Sequence, residues 1–112
     1  MTYERFRRLC LSLPGAEQIE TWGEQTFRVR GKIFAIASPE GERVSIKASL
    51  DDQAGLVAMA PETFSPAPYS GRFGWVSARL GGLNVRLGTT VVTNAWERTA
   101  PRRVVAQNAR RR

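Results

Sequence analysis

Residues 27–48 read FRVRGKIFAIASPEGERVSIKA, and this stretch decides the fold. Phe27 and Val29 alternate with Arg28 and Arg30, the period-two pattern of a half-buried strand. Arg30-Gly31 reads as a tight reversal, because glycine accepts the positive φ that a two-residue turn demands. Ile33 to Ala37 is a continuous apolar strand, and Pro39-Glu40-Gly41-Glu42 turns the chain again. Val44, Ile46 and Ala48 then alternate with Ser45, Lys47 and Ser49. The pattern predicts a three-stranded antiparallel meander whose outward face carries Arg28, Arg30, Ser45 and Lys47.

Helical signals flank the meander. After Thr2 as N-cap, Tyr3, Phe6, Leu9, Cys10 and Leu13 recur at helical spacing until Pro14-Gly15, which predicts a helix over 2–13. Asp51 is positioned to cap a second helix bearing Leu56, Val57 and Met59, which Pro61 ends. Residues 61–74, PETFSPAPYSGRFG, read as an ordered loop, since Phe64, Tyr69 and Phe73 need packing partners. Trp75 to Leu80 is a fourth strand, with Val76, Ala78 and Leu80 on one face, and Gly81-Gly82 breaks it. A third helix is expected from about Gly88, carrying Val92, Ala95, Trp96 and Thr99. Pro101 permits one more helical turn, and the terminal arginines are expected to fray. The sum is an α+β domain, a small antiparallel sheet packed against helices, in a chain of 112 residues with room for one core.

Composition narrows the compartment and the chemistry. No apolar run approaches the roughly 20 residues that cross a bilayer, and MTYERFRRLC lacks the apolar segment of a secretory signal. Cys10 is the single cysteine, so no internal disulfide forms. These features predict a cytoplasmic monomer without membrane contact. There is no histidine, hence no imidazole base and no His metal ligand. Cys10 falls on the apolar stripe of the first helix and reads as a structural thiol. Asp51-Asp52 is the one adjacent acidic pair and sits where a cap belongs. No catalytic residue, metal or cofactor is expected.

The net charge of +7 points to polyanions only where its location allows. Of 17 basic residues, five lie at Arg102, Arg103 and Arg110 to Arg112; the rest leave 12 basic against 10 acidic residues, a net of +2. Most of the imbalance is a basic tail at about 101–112. Within the body, no acid occurs between Glu62 and Glu97, where Arg72, Arg79 and Arg86 fall. That stretch either forms a positive face or contributes scattered surface arginines.

Several motifs together resemble the MmcQ/YjbR family. Leu13-Pro14-Gly15-Ala16, Glu17, Trp22-Gly23, Thr26-Phe27-Arg28-Val29 and Gly31-Lys32-Ile33-Phe34-Ala35 match its first half. Phe64-Ser65-Pro66-Ala67-Pro68-Tyr69, Arg72 and Gly74-Trp75-Val76 match its second signature, so that the similarity runs over roughly residues 3 to 105. The resemblance implies a compact α+β domain, compared in shape with frataxin-like (CyaY-like) proteins and with a double-wing DNA-binding architecture, and a DNA-binding role. The chain departs from that pattern in lacking the acidic final helix, since Leu87 to Trp96 holds no acid. The first helix carries Glu4 beside Arg5, Arg7 and Arg8, which argues against an iron-binding ridge.

Two functions follow. The first is non-catalytic, mainly electrostatic DNA binding through Arg30, Lys32, Lys47, Arg72 and Arg79, with Arg30 and Lys32 flanking a hairpin tip. Arg72 either grips a phosphate bidentately or pairs with Glu17 or Glu20, read as loop carboxylates. The second is a small-ligand or protein-interaction domain using the aromatic, proline-rich segment 64–75, with Trp22, Tyr69 and Trp75 walling a pocket.

Overall fold

A computed structural model describes residues 1–110. Arg111 and Arg112, the last two of the arginines expected to fray, lie outside the described residues. Six strands form one antiparallel sheet: β1 Ala16–Thr21, β2 Glu24–Val29, β3 Lys32–Ala37, β4 Arg43–Ile46, β5 Phe64–Pro66 and β6 Val76–Arg79. Their spatial order is β1-β2-β3-β4-β6-β5. The helices are α1 Tyr3–Leu11, α2 Leu50–Met59, α3 Val85–Thr99 and α4 Arg102–Arg110. The expected meander is β2-β3-β4; α2 carries the chain from β4 to the outer strand β5, and β6 then returns into the place beside β4.

Period-two alternation divides the sheet into two faces. Phe27, Ala35, Val44, Ile46, Val76, Ala78 and Phe64 are register neighbours on one face and form the core with Phe6, Cys10, Val92, Ala95 and Trp96 from α1 and α3. A register shift between Phe27 and Arg28 leaves Phe34 without a partner, and Phe34 and Ala35 are consecutive buried residues. Such a bulge lets both side chains reach the core. The Trp96 indole N–H donates to the Pro14 carbonyl at 2.9 Å, tying α3 to the end of α1.

The structure extends and shifts several expectations. Residues 16–21 are an edge strand rather than a loop, so Glu17 and Glu20 stand on β1. Ser49, not Asp51, caps α2: its hydroxyl accepts from the Asp52 amide at 3.0 Å, and both aspartates occupy the first turn, where carboxylates complement the helix dipole. α3 starts three residues before Gly88, because Asn84 supplies the cap by accepting from the Leu87 amide at 2.8 Å. Its threonines and valines do not prevent helix formation, since burial of the Val91, Val92 and Trp96 face outweighs weak intrinsic propensity. Arg102–Arg110 of the basic tail form a helix, and Val104 and Val105 of α4 pack against the core. Among the described residues no helix is long and apolar enough to cross a membrane.

Candidate nucleic-acid interface

The register gives the sheet two distinct ends. At one lie the Trp22-Gly23 turn, the 38–42 turn, Arg43 and Arg79; at the other lie the Arg30-Gly31 turn, the end of β4 and the segment joining β5 to β6. Both two-residue hairpin turns are left-handed at each position, with φ of 51° and 85° at Trp22-Gly23 and 53° and 78° at Arg30-Gly31. This geometry matches the right-handed twist of the flanking strands.

Four of the five cations expected to meet nucleic acid belong to the second end. Arg30 occupies the turn, Lys32 begins β3, Lys47 follows β4, and Arg72 lies in the short 3-10 turn Ser70–Phe73 after β5. Arg79 is separated from them, at the far end of β6. Lys47 is half-buried, its amide donates to the Phe34 carbonyl at 3.0 Å, and the residue is among those that line the cleft between α2 and α3. Arg72 pairs with neither Glu17 nor Glu20, which stand on the opposite edge strand; its guanidinium lies over the Phe73 ring, 4.7 Å from the centroid. Arg86 is in the first turn of α3, where it lines a cleft with Thr63 and Gly82. Among the described residues the only ion pairs are Arg7–Glu4 and Arg98–Asp52, so none of these cations is neutralised by a carboxylate.

The open face carries a second constellation, including a residue that sequence reasoning missed. Ser45, Ser77 and Ser65 are register partners across β4, β6 and β5, and in the next row Arg43 stands directly opposite Arg79. Like charges directly across a ladder are destabilising. Arg43 donates to the Ser77 hydroxyl at 3.1 Å, while the Arg79 guanidinium lies over Gly81-Gly82, where a side-chain carbon would come within 3.0 and 2.9 Å of it. Arg28 lies along the same face, donating to Thr26 at 3.0 Å and Thr21 at 3.1 Å. Glu17 and Glu24 share this face near β1, so its positive character is confined to the β4-β6 half. Arg43 follows Glu42 in sequence, and only the pairing of β4 with β6 sets it against Arg79.

The three aromatic residues expected to wall a pocket do not meet. Trp22 is 99% exposed at one corner of the sheet, Tyr69 is 96% exposed at the diagonally opposite corner, and Trp75 is half-buried beside the latter. With strands about 4.8 Å apart, roughly 20 Å of sheet separates the first two. A cleft of about 270 Å³ lies elsewhere, between α2 and α3, lined by Leu56, Met59, Leu87 and Val91 together with Lys47, Asp51 and the Arg98–Asp52 pair.

The segment 67–75 is held firmly. The Gln53 side-chain amide donates to the carbonyls of Gly71 and Trp75 at 2.8 and 2.7 Å, and Gly74, at φ 105°, packs so close that an added Cβ would fall 2.5 Å from the Ala48 carbonyl oxygen. Cys10 is buried, and burial pushes its thiol far above the usual range, so the reactive thiolate is suppressed. Among the described residues no three His, Cys, Asp or Glu side chains are grouped to hold a metal ion.

The YjbR family model matches residues 11–98, and the chain belongs to that family. A search of solved structures finds the same fold in Deinococcus radiodurans protein DR2400, described as a DUF419 domain: TM-score 0.77, 18% identity, covering 85% of this chain and 75% of that one. No curated protein matches the sequence.

Proposed function

We propose that this protein is a non-catalytic cytoplasmic domain that binds DNA by its phosphate backbone. One observation carries the reading: Arg30, Lys32, Lys47 and Arg72, from three separate stretches of chain, share one end of the sheet without a carboxylate partner among the described residues. Unneutralised cations presented by a rigid sheet are what backbone contact requires, and they need no base readout. Arg43 and Arg79 on the open face supply a second phosphate-contacting point.

The test is a titration of duplex DNA against salt. Affinity should fall with a log–log slope near −0.9 for each phosphate neutralised, and removing one contributing cation should reduce the slope by about one. Arg30→Ala, Lys32→Ala and Arg72→Ala should each do so. Replacing Arg102, Arg103 and Arg110 with Gln distinguishes the domain from its C-terminal helix. Truncation at residue 100 does not, since it also removes Val104 and Val105, which pack against the core. Binding that disappears with the α4 arginines while the sheet-end variants stay wild-type overturns the proposal.

A further inference from the structure

Tyr69 stands out within the 67–75 segment. Its φ of 62° and ψ of −57° make a γ-turn, closed by the Ser70 amide donating to the Pro68 carbonyl at 2.6 Å. This conformation is rare and strained for a residue with a side chain, and such outliers concentrate at functional sites. The ring gains nothing from the fold in return, being 96% exposed. Phe73, four residues on, is 66% exposed beneath the Arg72 guanidinium. Gln53 and the close packing of Gly74 immobilise the backbone that presents both rings. Two exposed aromatic rings on a rigid platform, one of them with Arg72 over one face, at the end of the sheet that bears Arg30, Lys32 and Lys47, form the combination that holds single strands: cations follow the backbone and rings receive the bases.

We infer that Tyr69 and Phe73 stack on unpaired bases, so that the preferred ligand of this surface is single-stranded nucleic acid. The inference rests on the phosphate-binding reading and adds the strandedness of the ligand. A duplex buries its base faces within the stack and offers these rings no partner; a single strand offers a π-face at every nucleotide.

The experiment compares oligothymidylate with a duplex of equal length, binding to the full chain and to Tyr69→Gly, Phe73→Ser and Tyr69→Phe. Glycine relieves the γ-turn, so loss of binding in Tyr69→Gly is not loss of the fold; circular dichroism and thermal melting check this for both truncating variants. Each truncating variant should weaken single-strand affinity about 5- to 150-fold, the range for one lost stacking contact, with duplex affinity within about twofold of wild type. Tyr69→Phe keeps the ring and should bind as wild type. Equal weakening toward both ligands, or no weakening toward the single strand, overturns the inference while leaving phosphate binding intact. Failure of the unaltered protein to bind either nucleic acid overturns both. If Tyr69→Gly leaves oligonucleotide binding unchanged and abolishes self-association instead, the rings serve a protein contact and stacking is wrong.

Discussion

Two aromatic residues, Trp22 and Tyr69, are almost completely exposed at left-handed backbone positions, yet they sit in opposite surroundings. Trp22 tops the β1–β2 hairpin, with Glu20 and Glu24 beside it in sequence; Gly23 approaches Pro39 of the neighbouring turn, which bears Glu40 and Glu42. Tyr69 shares its end of the sheet with Arg30, Lys32, Lys47 and Arg72. The supports differ too. The Trp22 tip is a bare two-residue turn, whereas the Tyr69 segment is bonded to α2 and wedged against the start of that helix. An exposed ring is therefore not by itself a nucleic-acid contact. The charges around it decide whether a phosphate can approach, and the backbone beneath it decides whether stacking costs ordering entropy.

The largest expected effect breaks the Tyr69 platform. Gly74→Ala combines an unfavourable φ of 105° with a 2.5 Å clash against the Ala48 carbonyl, and should destabilise the domain by about 3 kcal/mol or more in urea titration. A wild-type midpoint would show that this seat is far softer than described. Next, Gln53→Ala strips the Gly71 and Trp75 carbonyls of their donor and should cost about 1–3 kcal/mol, with amide exchange quickening in 67–75 and not at the Trp22 hairpin. Equal quickening at both tips would erase the distinction between them. The smallest effect sharpens the comparison from the other side. Trp22→Asn puts a residue favoured in left-handed turns at φ 51°, and should be neutral or stabilise by up to about 1 kcal/mol while leaving oligonucleotide affinity unchanged. A marked loss of affinity in this variant would place the interface at the acidic corner. Cys10 serves as a control throughout, since its buried thiol should react with a thiol reagent only as the domain unfolds.

The central meander was legible because alternation, glycine turns and apolar runs in residues 27–48 act locally. The edges were not. β1 reads AEQIET, polar at most positions because Glu17 and Glu20 are exposed and Gln18 turns inward to bond Arg7 and Tyr3 at 2.7 and 3.3 Å. β5 has three residues, too few for a period to emerge. Arg30, Lys32 and Arg72 stand out from turn and motif context, whereas Arg43 carries no local signal, because its place opposite Arg79 depends on the pairing of β4 with β6.

The sequence by itself determined the secondary structure of the core, the family, and the absence of histidine and of a disulfide, since each depends on residue type or short-range spacing. Tertiary structure alone decided which charges and rings share a surface. Insertion of β6 between β4 and β5 sets Arg43 against Arg79, and the strand order sends Trp22 and Tyr69 to diagonal corners. These neighbours are distant in sequence, and their proximity is imposed by burying one face of a sheet whose hydrogen bonds must all find partners.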